Sequence, residues 1–295
     1  MQPLVGKVAV CVGATGGIGR AVAVCLARQG ASVLAVGRSV DAGESLLSEL
    51  REAHPAGAHG FFSVDCSLLK NIAAFAASGA LPQEVDYLVQ TQGIASIAGR
   101  TETAEGIDRK LAVHHYGRIC FIKQLLPRLL KSKEAGREAV ALSILSAGVH
   151  GAYHRLDDLA LKHSFSIKNA ADAAGFYTDL SLDALSRTEG LGGVSFQHAA
   201  PGMVATQWGS EFPAVLRIPV RILQALVAKS PESCAEAMVA GMLHEGRRNG
   251  GLHLFAPDGR DAPLNAAHSA ELRAAVWAHT EQVIAEALSA GVGTE

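Results

Sequence analysis

The chain has 295 residues, and its 26 Lys and Arg residues nearly balance its 28 Asp and Glu residues. No basic patch larger than a pair such as Arg247-Arg248 occurs, which argues against a nucleic-acid-binding surface. No apolar run reaches the roughly 18 residues that a membrane helix needs, and no signal-peptide pattern precedes the first apolar segment. Five scattered cysteines are typical of a reducing compartment. We therefore expect a cytoplasmic protein with neither a membrane nor a nucleic-acid partner.

Short apolar segments alternate with longer amphipathic segments along the chain. Strands are predicted at 7–12, 32–36, 61–64, 87–89, 139–145, 194–199 and 252–255. Helices are predicted near 20–29, 41–53, 68–78, 104–131, 165–190, 233–245 and 269–289. Strands that are apolar throughout and separated by helices indicate a parallel sheet covered on both faces. We expect a doubly wound α/β sheet of the Rossmann type, in a single domain over residues 1–295 with an extra C-terminal helix at 269–289.

The segment 203–231 interrupts this alternation, because it is rich in Pro, Trp, Phe and long aliphatic residues without clean periodicity. We interpret it as a substrate loop near the carboxyl edge of the sheet, with a packed surface helix as the alternative. Its apolar character predicts a small-molecule, mostly apolar ligand. The final predicted helix either packs back on its own domain or contacts a second copy in a homo-oligomer.

Glycines cluster directly after the first predicted strand, in the stretch VGATGGIGRA. Gly13 allows a tight turn, Gly17 lets the backbone approach a pyrophosphate, and Gly19 lets the following helix pack on the strand. The phosphates would then bind free N–H groups at the N-terminus of that helix. Placed after the first strand of an alternating chain, the cluster predicts a dinucleotide-binding turn.

The end of the second predicted strand, AVGRS, indicates which dinucleotide is bound. An acid at this point holds the ribose 2′-hydroxyl of NAD, whereas an arginine accommodates the 2′-phosphate of NADP. Gly37 occupies the expected acid position, and Arg38 and Ser39 follow it. A guanidinium can form paired hydrogen bonds with a phosphate. We therefore expect NADP rather than NAD as the cofactor.

These features resemble the short-chain dehydrogenase/reductase family over roughly residues 6–258. The family's glycine motif is TGxxxGIG, and the chain matches it with Thr15 and Ile18 among the glycines but has Val12 in place of the first threonine. The resemblance implies a Rossmann fold and an oxidoreductase that uses a nicotinamide cofactor.

Other cofactor contacts follow from the same resemblance. It implies that Asp65, in SVDCS, contacts the adenine amino group. It also implies that Pro201, Gly202 and Thr206, in AAPGMVATQ, flank the nicotinamide. Gly93 is the only residue that remains of the family's NNAG motif after the fourth strand.

The catalytic motifs of the family are altered. The resemblance implies that Ser146, in ILSAG, is the catalytic serine, with Ser143 as the alternative, and that His114 replaces a family asparagine. Lys168 matches the lysine of the family's YxxxK motif, which holds the nicotinamide ribose and lowers the pKa of the tyrosine. Ser164 stands where that tyrosine should be, and no shift of register produces the motif.

Reduction of a ketone by hydride leaves an alkoxide that must be protonated, so another acid is required. The candidate donors are four histidines and one tyrosine, His114, His150, His154, His163 and Tyr153. His150 and His154 have a spacing that suits a metal on a helix, but no third ligand is evident, so we expect no metal.

Three hypotheses follow. The first is an NADP-dependent oxidoreductase acting on a carbonyl or alcohol, with Ser146, Lys168 and His114 as candidate catalytic residues. The second is an NADP-binding protein without redox activity, acting as a sensor or interaction partner. The third is a non-redox isomerase or cyclase on the same fold. The phosphate-binding turn supports the first, and the missing tyrosine favours the other two.

Overall fold

The computed structural model describes residues 4–205 and 228–289. Parallel strands form one seven-stranded sheet in the order β3-β2-β1-β4-β5-β6-β7. The strands are β1 (Val8–Val12), β2 (Ser32–Gly37), β3 (Gly60–Ser63), β4 (Tyr87–Gln90), β5 (Val140–Ile144), β6 (Ser195–Ala199) and β7 (Gly251–Phe255). The prediction of a doubly wound α/β sheet is confirmed.

The helices follow the predicted alternation with the strands. They are α1 (Gly17–Arg28), α2 (Val40–Ala53), α3 (Leu69–Ala77), α4 (Arg109–Leu111), α5 (Gly117–Glu134), α6 (Ile167–Ser186), α7 (Pro231–Met242) and α8 (Ala270–Ser289). Between α4 and α5 the backbone is π-helical over Ala112–Tyr116, which the sequence pattern did not predict. In the parts of the chain that the structure describes, no helix is both long and apolar enough to cross a bilayer.

Helices cover both faces of the sheet because the strands are apolar on both sides. In β1, Val10 and Val12 join the core cluster that contains residues of α3, α5 and α6. Ala9 and Cys11, which alternate with them, join the cluster that contains residues of α1, α2 and α7. Since successive side chains of a strand point to opposite faces, the two clusters lie on the two sides of the sheet.

The strand order reverses between β1 and β4, which pair side by side although two strands separate them in sequence. In open α/β sheets, a crevice forms at such a point, outside the carboxyl ends of the strands. The loops after β1, β4 and β5 therefore border the candidate site.

The C-terminal helix α8 packs back on the sheet domain. Its Thr280 hydroxyl and the Nε2 of His115 are 2.9 Å apart, and its Arg273 Nη1 lies 2.9 Å from an Asp183 carboxylate oxygen in α6. Asp183 also contacts His268 just before α8. These contacts of α8 are with its own domain, and a contact with a second copy stays a prediction.

Candidate active site

A cleft lies at the carboxyl ends of β1, β2, β4, β5 and β6. Its volume of about 1310 Å³ exceeds the roughly 300–1,000 Å³ of ordinary ligand pockets, as a dinucleotide with a substrate would require. Residues predicted from the sequence line it, namely Gly13, Thr15, Gly17, Ile18, Gly19, Arg38, Ser39, Asp65, Gly93, His114, Pro201 and Gly202. Thr206 and most of the predicted substrate loop lie outside the described residues.

The glycine turn leaves the first helix open toward the cleft. Gly13 has φ of +79°, and a Cβ there would lie 2.5 Å from the backbone nitrogen of Gln92. A Cβ on Gly19 would overlap the carbonyl oxygen of Gly13. At the start of α1, the N-cap Gly16 offers no side-chain cap and the first turn has no acid. The first N–H groups of α1 are thus available to a phosphate.

At the end of β2, the position where an NAD site would carry an acid is crowded by Thr15. A Cβ on Gly37 would lie only 2.5 Å from Cγ2 of Thr15, so any side chain at this position would displace Thr15. Arg38 is exposed and lines the cleft. Ser39 is the N-cap of α2 and accepts a hydrogen bond from the backbone N–H of Ala42 at 3.3 Å.

Asp65 is fixed at the cleft wall by its own turn. One carboxylate oxygen accepts hydrogen bonds from the N–H of Ser67 at 2.9 Å and from its hydroxyl at 2.7 Å. Burial by itself raises the pKa of Asp65, but these bonds outweigh burial and the net pKa is lowered. Asp65 is therefore a carboxylate at neutral pH and can accept hydrogen bonds from an amino group.

His114 contacts the cleft, but both of its ring nitrogens are engaged. Nδ1 donates to the carbonyl oxygen of Lys110 at 2.9 Å, and Nε2 accepts from the N–H of Ile94 at 3.1 Å. Burial, and then the charge of Arg118, lower the pKa of His114 to about 4. The ring is neutral near pH 7 and ties the loop after β4 to the π-helical segment, so it is not a free proton donor.

Lys168 does not line the cleft. Its side chain is 81 % exposed in the first turn of α6, where the ammonium pairs with Asp172 at 2.5 Å. Ser164 lies before this helix, and its hydroxyl donates to Asp158 at 2.7 Å. The structure thus does not place Lys168 as the family resemblance implies, and shows it as an ion-paired lysine on the solvent face of α6.

Gly175 of α6 faces Ser146 and lies seven residues after Lys168, about 10 Å further along the helix axis. A Cβ on Gly175 would overlap the Ser146 hydroxyl and would lie 2.7 Å from the ring of His150. The Ser146 hydroxyl is buried and, among the described residues, has no hydrogen-bond partner. The absence of a side chain at Gly175 allows His150 to pack against the serine.

A buried carboxylate holds this arrangement behind Ser146. Asp179 accepts a hydrogen bond from Nδ1 of His198 at 2.5 Å, and Nε2 of His150 lies 3.1 Å from its other oxygen. His198 Nε2 in turn accepts from the N–H of Ser146 at 3.1 Å, and His150 Nδ1 donates to the Ser146 carbonyl at 2.8 Å. The loop after β5 is thereby fastened to α6.

The charge states in this cluster follow from its geometry. Both nitrogens of His150 face acceptors, and although burial opposes its charge, Asp179 raises the pKa of His150. Burial raises the pKa of Asp179, but the two histidines outweigh it and the net pKa is lowered. The pKa of His198 is lowered by burial. We infer an ion pair between Asp179 and His150 beside a neutral His198.

The remaining proposed donors lie away from the cleft. The hydroxyl oxygen of Tyr153 lies 2.5 Å from the Ser164 hydroxyl oxygen and 3.2 Å from the carbonyl oxygen of Asp158. His154 and His163 are exposed and do not line the cleft.

With this geometry in hand, the comparisons with known proteins define the family. A family model described as short chain dehydrogenase matches residues 7–152. Polyprenol dehydrogenase of Mus musculus is 31% identical over 282 residues, which cover 94% of this chain and 84% of the relative. The chain belongs to the short-chain dehydrogenase family. The resemblance inferred from its motifs is thus confirmed, and the family is one of oxidoreductases.

Two further relatives extend this comparison. Oxidoreductase AN1596 of Emericella nidulans is 38% identical to this short-chain dehydrogenase over 211 residues, 70% of the chain, but the match spans only 61% of the relative's own length. Among solved structures, a putative NAD(P)-dependent gluconate 5-dehydrogenase of Beutenbergia cavernae with bound NADP has a TM-score of 0.64 and 25% identity. That similarity covers 87% of this chain and 97% of the other.

Sequence reasoning missed several residues of this short-chain dehydrogenase that border or support the cleft. The fully buried Arg118 lines the cleft, and Gly175, Asp179 and His198 support Ser146. Asp179 had a signal in the sequence, because it is an acid close to the apolar residues Phe176, Leu180 and Leu182 in a long predicted helix. Arg118 had a similar signal in the sequence, because it is a single cation followed directly by the apolar residues Ile119, Cys120 and Phe121.

Proposed function

We propose that this short-chain dehydrogenase is an NADP-dependent oxidoreductase that acts on an apolar alcohol or the corresponding carbonyl compound. The observation that carries the cofactor choice is the end of β2. A side chain in place of Gly37 would have to displace Thr15, and Arg38 follows Gly37 and lines the cleft. The bound NADP of the Beutenbergia cavernae neighbour supports the same choice.

The residues that would hold the cofactor fit its parts in order. The open N-terminus of α1 suits the pyrophosphate, and Arg38 with Ser39 suits the 2′-phosphate. Asp65 suits the adenine amino group, and Pro201 and Gly202 line the opposite end of the cleft. When bound, NADPH supplies the hydride for reduction of a carbonyl.

Exposed hydrophobic side chains support an apolar substrate. Ile97, Val149, Met203 and Leu264 are 47%, 72%, 50% and 45% exposed. They follow β4, β5, β6 and β7 in the chain, so these loops leave the same carboxyl edge of the parallel sheet. Large exposed hydrophobic residues that share one edge indicate contact with an apolar molecule. The name of the relative polyprenol dehydrogenase, which denotes a long apolar alcohol, agrees with this proposal.

Cofactor binding and turnover test the proposal separately. Calorimetry with NADPH and NADH should give tighter binding of NADPH, and tighter or equal binding of NADH would contradict the cofactor choice. Consumption of NADPH should then be followed with long-chain apolar aldehydes and ketones and, for comparison, with sugars of similar carbonyl reactivity. Turnover restricted to the sugars would contradict the proposed substrate class.

The second candidate function is NADP binding without hydride transfer. The observation that favours it is the closed contact of Gly175, Ser146 and His150, together with the position of Lys168 in solvent. None of the proton donors proposed from the sequence is free in the described part of the cleft. Tight NADPH binding without its consumption across the whole panel would establish this candidate and exclude the first.

A further inference from the structure

Arg118 is a buried cation in the wall of the cofactor cleft. Only 1 % of the residue is exposed, and it belongs to the cleft lining. Its Nη1 donates to the carbonyls of Gln90 and Ile144 at 3.1 and 3.0 Å and to the Ser143 hydroxyl at 2.6 Å. Its Nη2 donates to the carbonyl of Gln92 at 2.6 Å. The guanidinium thus lies between the carboxyl ends of β4 and β5.

The charge of Arg118 has no counter-ion among the described residues. All four acceptors are neutral, and burial lowers its pKa to about 9 with no contribution from a carboxylate. The side chain is therefore still charged near pH 7, and its Nε has no partner in the described structure. The carboxylate of Asp179 behind Ser146 is already paired with His150. A buried charge without a counter-ion lowers the stability of a protein. A purely structural role therefore does not explain why an arginine occupies this position.

The position of this charge within the cleft is informative. Arg38, Ser39 and Asp65 mark the adenosine end, and Arg109 acts on the pKa of Asp65 at that same end. Arg118 instead binds the backbone of Gln92 and Ile144, whose neighbours Gly93 and Leu145 line the cleft. The N-terminus of α1, where the pyrophosphate would bind, follows β1, which lies between the adenosine end and Arg118 in the strand order. Arg118 is therefore at the end of the cleft that remains for the nicotinamide.

The two oxidation states of the nicotinamide differ in charge. The oxidised ring carries one positive charge and the reduced ring is neutral, while the rest of the dinucleotide is unchanged. A fixed cation nearby therefore repels the oxidised form and leaves the reduced form unaffected. Because Arg118 is buried, solvent and salt screen this repulsion less than they would at the surface.

We propose that Arg118 determines which oxidation state of the cofactor the cleft prefers, by disfavouring NADP⁺ relative to NADPH. The inference rests on the proposed function and deepens it, because tighter binding of the reduced cofactor raises the potential of the bound couple and makes bound NADPH a weaker hydride donor than free NADPH. A tenfold preference for NADPH corresponds to about 30 mV in the potential of this two-electron couple.

The test is the ratio of the dissociation constants of NADP⁺ and NADPH, measured by calorimetry on the full chain. Wild type should bind NADPH about tenfold more tightly, the size expected of one partly screened charge pair. Arg118→Met removes the charge and keeps most of the length, so its ratio should fall toward one. Arg118→Lys keeps the charge and loses the forked hydrogen bonds, so it should retain the ratio even where both affinities weaken. Arg109→Met removes a cation from the adenosine end and should leave the ratio unchanged.

The ratio separates this role from a structural one, since loss of hydrogen bonds alone weakens both cofactors equally. An Arg118→Met protein that folds and keeps the wild-type ratio overturns the inference and leaves the proposed function intact. If that variant does not fold, wild type and Arg118→Lys decide: equal affinity of wild type for both cofactors, or a ratio lost in Arg118→Lys, overturns it. Wild type that binds neither cofactor overturns the proposed function itself.

Discussion

The two halves of the cleft are built on opposite principles. In the nucleotide half, after β1 and β2, backbone comes close to backbone and side chains are kept out, as at Gly13 and Gly37. Behind the reactive half, after β5 and facing α6, side chains fill the space, with His150 packed against Ser146 and Gly175, none of which lines the cleft. One half is open to a ligand, and the other is closed by its own polar contacts.

The difference shows that one fold can keep its cofactor site while its catalytic site changes. Phosphate binding depends on backbone N–H groups and the helix dipole, and these survive substitution of most side chains. Proton transfer depends on individual side chains with suitable pKa values at exact distances, and these are lost by single substitutions. The predictions that follow test each half in turn.

The largest expected effect is the loss of Asp179. Asp179→Ala leaves His150 and His198 without their shared carboxylate in a fully buried position. Removal of one partner of a buried ion pair destabilises a protein by about 3–5 kcal/mol. Urea denaturation should show a loss of this size. Asp179→Asn, which can still accept from His198, should lose less, and an Asp179→Ala loss below that of Asp179→Asn would contradict the assigned ion pair.

In the nucleotide half, Gly17→Val should abolish measurable NADPH binding. Gly17 begins α1 with φ of +53°, so a β-branched residue is strained there and its side chain would block the phosphates. We expect at least a roughly hundredfold loss of affinity, since the helix N-terminus contributes several charge-assisted hydrogen bonds. Gly136, with φ of +72° and open space around it, provides the control. Gly136→Val has a similar backbone strain and should bind NADPH normally. Equal NADPH affinity in both variants would show that the glycine cluster forms a turn without a role in cofactor binding.

Arg38→Ala should weaken the binding of NADPH selectively. Loss of a hydrogen bond to a charged group costs about 1.5–3 kcal/mol, roughly a tenfold to hundredfold rise in the dissociation constant. NADH lacks the 2′-phosphate, so its affinity should stay the same. Calorimetry with both cofactors measures this, and an equal loss for both would show that Arg38 contacts the adenine or the ribose instead.

A pH series tests the reactive half without a ligand. The folded-state pKa of His150 is raised above its unfolded value, so the stability from its charge is fully present below the unfolded value of about 6.5. That stability is lost as pH rises through the folded pKa. The difference in unfolding free energy between wild type and His150→Gln should therefore shrink with increasing pH. A difference that grows with pH would mean that His150 is neutral in the folded protein.

Sequence reasoning succeeded where a local pattern determines the structure. The strands, the glycine turn and the Arg38 position follow from short apolar runs and from glycines next to them, and the structure brings these residues together. It failed at α6, because the residue that faces Ser146 depends on how the whole helix packs on the sheet. Lys168 matched the lysine of the YxxxK motif by its position in the sequence. In the structure, Gly175 of the same helix faces Ser146.

The smallest expected effect is that of Lys168→Ala, which tests directly whether Lys168 binds the cofactor. Lys168→Ala removes an ammonium that is 81 % exposed and paired only with Asp172 among the described contacts, so stability should change by less than about 0.5 kcal/mol. The NADPH dissociation constant should stay within about twofold of wild type, because the ammonium does not line the cleft. Asp172→Ala is the matched control, since its carboxylate also accepts from the N–H of Gly151 at 2.9 Å and its loss should cost more stability. A tenfold loss of NADPH affinity in Lys168→Ala alone would mean that α6 shifts on cofactor binding to bring the lysine to the ribose, and the closed packing of Gly175 against Ser146 would then be a property of the free protein only.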